Sequence, residues 1–182
     1  MEAPMKHSFG YQKNQVIADV ALRALLFVTS LGAIIVLVTS KQSKMIPISP
    51  TVAIPLDANW NQSPANIYFV AAHCVACLYS IITCASSISV LKKIGTSSEK
   101  LQSNFVKLDS LLLGIISSAA GAAAAVAYIG LKGNSHARWN EICNVYGSFC
   151  HHVVVAILLS LMSTGSLLPL VWSPSTRIQT KS

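Results

Sequence analysis

A helix that crosses a bilayer needs about 20 mostly apolar residues, and this chain supplies four such runs, at about 20–39, 67–91, 108–131 and 153–171. The second and fourth carry no charged side chain, while the first contains only Arg23 and the third only Asp109. In hydrocarbon every backbone N–H and C=O must find its partner inside the protein, so an isolated run of this kind is a helix. The expected fold class is therefore all-α, a bundle of four transmembrane helices forming a single membrane domain over residues 1–182. With 53% hydrophobic and 10% charged residues the chain also lies far from soluble domains, in which about 25% is charged.

The net charge of +7 would suit a nucleic-acid partner only if it were gathered on one face with interleaved aromatic residues. Here the basic residues occupy the connecting segments and the two ends, which is the pattern of a cytoplasmic leaflet. With the N-terminus inside, Lys6, Lys13, Lys92, Lys93, Lys100, Lys107, Arg177 and Lys181 are cytoplasmic, against Lys41, Lys44, Lys132 and Arg138 outside. Both termini are thus expected in the cytoplasm, with outer loops at about 40–66 and 132–152 and an inner loop at about 92–107. The apolar stretch from Ala24 to Val38 is at the long limit for a cleaved signal core and no convincing small-residue cleavage site follows it before Lys41, so the run is read as a retained span. Pro47, Pro50, Pro55 and Pro64 make the first outer loop an extended segment, unsuited to helix interiors or central strands. The tails at 1–19 and over the last ten residues are expected to be mobile.

A charge inside a span costs about 2.5–3.5 kcal/mol even on insertion scales, so Arg23 and Asp109 need partners. Each lies near the cytoplasmic start of its span, at similar depth, and an interhelical ion pair follows. Arg23 has two other outlets, snorkelling to the headgroups or pairing with Asp19 one turn earlier. Asp109 has none on its own helix, where Phe105, Val106, Leu112 and Leu113 are all apolar. On the third span, Gly114/Ser118 and Ser117/Gly121/Ala125 form a small-residue pattern that lets two helices approach closely. A contact within the bundle is the expected use, with a contact between subunits as the alternative.

Cys143 and Cys150 fall in the second outer loop, where the oxidising side of a plasma membrane lets a disulfide persist, and they are candidates for each other. A zinc site built from them with His151 and His152 is disfavoured, because the spacing matches no common site and adjacent histidines diverge at a helix start. Cys74, Cys77 and Cys84 lie within the second span as small apolar residues. A membrane enzyme or disulfide carrier would need Cys74 and Cys77 as a reachable thiol pair. Asn61-Gln62-Ser63 is a glycosylation sequon on the expected outer side, with Pro64 lowering its occupancy. No nucleophile elbow, phosphate loop or paired catalytic carboxylates occur, so neither an enzyme nor a cofactor is expected.

Several short motifs then converge. They are Leu22-Arg23-Ala24-Leu25 and Thr39-Ser40-Lys41-Gln42 around the first span, Ser63-Pro64-Ala65 and Ile67-Tyr68-Phe69-Val70 entering the second, and Leu108-Asp109 opening the third. Trp139-Asn140-Glu141-Ile142-Cys143 and Phe149-Cys150-His151-His152-Val153 lead into the fourth. Together they resemble the plant CASP-like proteins, relatives of the Casparian strip membrane domain proteins, over about 20–171, and are most similar to the first CASP-like subfamily. The resemblance implies a MARVEL-related, multi-pass plasma-membrane protein with a family-type Arg in the first span and Asp in the third, matching Arg23 and Asp109. It also implies homodimers, heterodimers or larger assemblies with related members. Casparian strip members build an immobile platform that recruits lignin-polymerising enzymes, and they carry an aromatic and acidic stretch in the first outer loop. This chain has a proline-rich, mostly uncharged one, so the expectation extends to the scaffold architecture and stops short of the lignin barrier.

The expected function is an oligomeric scaffold that organises a membrane region, with outer loops available to extracellular or cell-wall proteins. The alternative is a small channel or transporter in which Arg23, Asp109 and His73 line a polar route.

Overall fold

The computed structural model describes residues 3–49, 52–92 and 99–180. Four long helices, α1 (Ala3–Val38), α2 (Pro64–Lys92), α3 (Glu99–Lys132) and α4 (Gly147–Thr180), run up and down in sequence, and each contains a segment long and apolar enough to span a membrane. In the ring they form, α1 packs on α2 and α4, and α3 closes the circle against the same two helices. A two-stranded antiparallel hairpin, β1 (Lys41–Ser49) and β2 (Val52–Asn59), and a short 3-10 turn at Trp60–Gln62 join α1 to α2. Lys93, Lys181 and Pro50, used above for orientation and loop conformation, lie outside the described residues.

Three helices have ends that differ from those read in the sequence. The segment before the first span is helical from Ala3, α3 begins at Glu99 inside the expected 92–107 loop, and α4 starts at Gly147 and continues to Thr180. Hydropathy locates the bilayer, whereas a helix continues into water until something stops it, and no proline lies between Glu99 and the third span. At the other end of α1 something does: the hydroxyls of Thr39 and Ser40 turn back onto the carbonyls of Ile35 and Leu37. The first outer segment is likewise an ordered hairpin. Its prolines are accommodated because Pro55 pairs with Met45 and Pro47 with Ala53, two pairs of the same register parity. A ladder whose hydrogen-bonded exchanges fall at Lys44↔Leu56 and Ile46↔Ile54 asks neither proline for an N–H.

The bundle is apolar outside and partly polar inside, the reverse of a soluble fold. Val28, Ile35, Leu78, Ile82, Leu111, Leu158 and Leu168 face outward, while Arg23, Thr29, Ser30, His73, Asp109, Ser160 and Ser163 are buried. Its core consists of two apolar clusters, each drawing on all four helices. One comprises Leu26, Ala76, Leu112, Ile116, Leu167 and Leu170; the other, nearer the hairpin, comprises Ala33, Leu37, Phe69, Ala123, Val153 and Ala156.

The small residues of α3 are divided between its faces, against the expectation of a contact within the bundle. Ala119, Ala120 and Ala123 are buried, whereas Gly114, Ser117, Ser118, Gly121, Ala124 and Ala125 are exposed. A Cβ added at Gly114 or Gly121 would meet nothing within 4 Å. The bundle interior already has buried alanines for close packing; of the pattern picked out in the sequence, Ser118 meets the Tyr68 hydroxyl of α2 at 2.9 Å, while Gly114, Ser117, Gly121 and Ala125 are on the outside.

After α3 the chain folds over the helix end. Gly133 takes φ +66°, and the Asn134 side chain accepts the backbone N–H groups of His136 and Ala137, both at 3.1 Å. Asn134 and Trp139 then exchange two backbone hydrogen bonds, and the Gly130 carbonyl accepts from Ile142 and Cys143. A Cβ on Gly133 would lie 2.8 Å from the Trp139 carbonyl oxygen. Gly133→Ala is expected to lower stability by about 1–2 kcal/mol from the left-handed backbone alone, measured as a lower unfolding midpoint in mild detergent.

Candidate functional site

Arg23 sits on α1 one helical turn after Asp19, on a face that turns into the bundle, and is 3% exposed. Its Nε donates to Asp19 Oδ2 at 3.0 Å, while Nη1 and Nη2 donate to Asp109 Oδ1 and Oδ2 on α3 at 3.4 and 3.2 Å. The planar fork of a guanidinium suits this two-pronged contact with a carboxylate. The two partners offered by the sequence, Asp19 and Asp109, are therefore engaged together, and the Asp109 contact is made within one subunit.

The network is larger than the sequence reading. Tyr79 on α2 donates its hydroxyl to Asp109 Oδ1 at 2.6 Å, and Ser87, two turns further along α2, donates to Asp19 Oδ2 at 2.7 Å. The Arg23 guanidinium carbon also lies 6.0 Å from the centroid of the Tyr79 ring and 5.6 Å from that of Phe105, distances at which the ring faces attract a cation. Three helices are thereby clamped at the end of the bundle away from the hairpin. The arrangement holds charge and leaves no described carboxylate of the cluster without a donor. The signal available for Tyr79 was its hydroxyl within a span, because a buried tyrosine O–H needs an acceptor. Ser87, in a serine-rich stretch, carried no such signal.

α4 is held separately. Thr29 Oγ1 and Ser163 Oγ are 2.8 Å apart and Ser30 Oγ donates to Ser163 Oγ at 3.3 Å, so hydroxyls link α1 to α4. His73 joins neither group. It precedes Tyr79 by six residues on α2, about 9 Å nearer the hairpin, and the apolar cluster of Leu26, Ala76 and Leu112 lies between its level and the ion pair.

At the hairpin end Cys143 and Cys150 are disulfide-bonded, with Cα atoms 5.7 Å apart. Their sulfurs are thus joined to each other rather than offered to a metal alongside His151 and His152. The hairpin docks on the same loop: Tyr146 donates its hydroxyl to the Leu56 carbonyl at 3.0 Å, and the Gln42 side chain accepts from the Phe149 N–H, in the first turn of α4, at 3.0 Å. That N–H has no acceptor within its own helix, and β1 supplies one. Reduction of the disulfide is expected to remove roughly 2 kcal/mol through the short loop it closes, visible as a lower unfolding midpoint with dithiothreitol that Cys143→Ser reproduces. Asn61 is exposed on the 3-10 turn at the same end. Cys74 is exposed on the outer face of α2, and Cys77 and Cys84 are half-buried.

Comparison with known proteins places this geometry in context. Residues 12–165 match the model of the Casparian strip membrane protein domain. The chain is 45% identical over 164 residues to CASP-like protein 1D1 of Populus trichocarpa, covering 90% of this chain and 82% of that one. It is 47% identical over 150 residues to CASP-like protein 1D1 of Oryza sativa subsp. japonica, covering 80% and 72%. To CASP-like protein 1D1 of Arabidopsis thaliana it is 45% identical over 157 residues, covering 86% and 80%. No solved structure matches the chain.

Proposed function

The chain belongs to the Casparian strip membrane protein domain family, and from that premise we propose that it is a self-associating scaffold that organises a region of the plasma membrane. Both termini are cytoplasmic, and the hairpin, the disulfide and Asn61 face outward. The disulfide supports this orientation, since such bonds persist on the oxidising side, and the excess of basic residues at the opposite end supports it independently.

The observation that carries the reading is the outward face of α3. In lipid, helices associate by close packing, and small residues at spacings of three and four let two backbones approach. Gly114, Ser117, Gly121 and Ala125 present that surface away from their own bundle. A second copy or a related family member fits there. The internal clamp serves the same end by holding α3 rigidly to α1 and α2, so that the exposed face keeps one shape. Outer contacts with extracellular or cell-wall proteins fall to the hairpin, where Met45, Ile54 and Leu56 are exposed.

The test is the lateral mobility and oligomer state of fluorescently tagged protein at native expression. Slow clusters in photobleaching recovery, with two or more chains per diffusing unit, are expected. Free diffusion as a monomer overturns the scaffold reading.

A further inference from the structure

The two apolar clusters of the core are separated by a layer of different chemistry. Between the residues that each helix contributes to the two clusters lie Thr29 and Ser30 on α1, Ala72 and His73 on α2, Ala119 and Ala120 on α3, and Ser160 and Ser163 on α4, all buried. His73 is the only large side chain among them. Its Nδ1 donates to the Phe69 carbonyl at 2.9 Å and its ring stacks on Phe69 at 4.2 Å between centroids, so the imidazole is held in one orientation. In the neutral ring the other nitrogen, Nε2, is then an acceptor. It has no partner from the protein, and neither has the hydroxyl of Ser160. Both residues are 0% exposed. The other two such atoms among the described residues, Gln15 Oε1 and Asn66 Oδ1, belong to the first turns of their spans, whereas His73 and Ser160 are mid-span.

We infer that His73 and Ser160 form a binding site at the centre of the bundle for one small neutral hydrogen-bonding molecule, a water, held between Nε2 and the serine hydroxyl. The contacts between helices set the depth of each. Cys77 is beside the Phe27 carbonyl and Ser163 beside Thr29, which puts His73, one turn from Cys77, near the level of Leu31. Ser160, three residues from Ser163, comes near the level of Gly32, whose Cβ direction meets Leu159 at 3.5 Å. The two residues are thus within about 3 Å of the same depth. They sit on helices diagonal to each other in the ring, and both side chains are directed inward. Neither reaches the other. A water can donate to Nε2 and accept from the Ser160 O–H, satisfying both at once, and buried waters bind where two or more such groups converge. Apart from the one ring, the layer is built of small side chains, alanine, serine and threonine. Arg23 and Asp109 take no part, because an apolar cluster separates them from this layer.

The experiment uses the full chain in lipid nanodiscs with its histidines labelled with nitrogen-15, the His73 signals being assigned by their loss in His73→Phe. Solid-state NMR is expected to find Nε2 at the position of a hydrogen-bonded acceptor, with magnetisation transfer from a water proton, and Ser160→Ala is expected to move the signal toward the free-acceptor position. Nε2 at the free-acceptor position in the wild type overturns the site, and so does transfer from the Ser160 hydroxyl proton without water. A second measurement compares unfolding midpoints in detergent. His73→Phe and Ser160→Ala are each expected to lower the midpoint, and the double variant to recover part of the summed loss. Strict additivity would show that the two residues share nothing.

Discussion

Replacing Arg23 by Ala is expected to destabilise the bundle by about 3–5 kcal/mol, the range for a broken buried ion pair, read as a large fall in the unfolding midpoint and in the yield of folded protein. The physical reason is an imbalance. Arg23 is the one cation facing both Asp19 and Asp109 in the described cluster, so removing it leaves two carboxylates, on helices that lie across the ring from each other, with only Ser87 and Tyr79 as donors. Asp109→Asn is expected to cost less, because Arg23 keeps Asp19 and the amide oxygen can still accept from Tyr79. Equal losses in the two variants would show that the cluster behaves as a simple pair. The reversed arrangement, Arg23→Asp with Asp109→Arg, is expected to rescue poorly, since it places a carboxylate four residues from Asp19 on the same helix face. Adding Asp19→Ser to that swap should improve it.

The second large effect concerns assembly rather than folding. Gly121→Ile is expected to weaken self-association at least tenfold, about 1.4 kcal/mol, while leaving the unfolding midpoint of the subunit nearly unchanged. The separation is possible because Gly121 is exposed and a Cβ there meets nothing within 4 Å in its own subunit, so a larger side chain is directed toward a neighbour. Gly165 on α4 is exposed with equally open space and provides the control. Single-molecule photobleaching in supported bilayers counts the chains per spot. Dispersal by Gly165→Ile but not by Gly121→Ile would move the interface to α4 and remove the observation on which the proposed function rests.

The four spans were legible because lipid permits only one backbone solution for a long apolar run. The ends of the helices were not, since hydropathy is silent about a helix such as α3 that starts in water at Glu99. Arg23 and Asp109 stood out because a charge is costly where they lie. Tyr79 did not, because the same residue type is common at membrane interfaces, where it needs no buried acceptor. The direction of the α3 small-residue pattern was hidden for a related reason: both its faces are apolar, so periodicity could not distinguish the side that meets the bundle from the side that meets lipid. The hairpin was read as extended but not as paired, because a proline excludes central strands without indicating whether an edge partner exists.

The sharing of Arg23 between two acids has a consequence for how the protein is made. Asp109 is 86 residues behind Arg23 in the chain, so the first span leaves the ribosome and meets the insertion machinery long before its distant counter-ion has been translated. Asp19 is only four residues away on the same helix and arrives with it. The guanidinium can therefore enter the membrane already escorted, and accept Asp109 and Tyr79 when the later spans follow. The aspartate thus gives the arginine a counter-ion within its own helix before any later span exists.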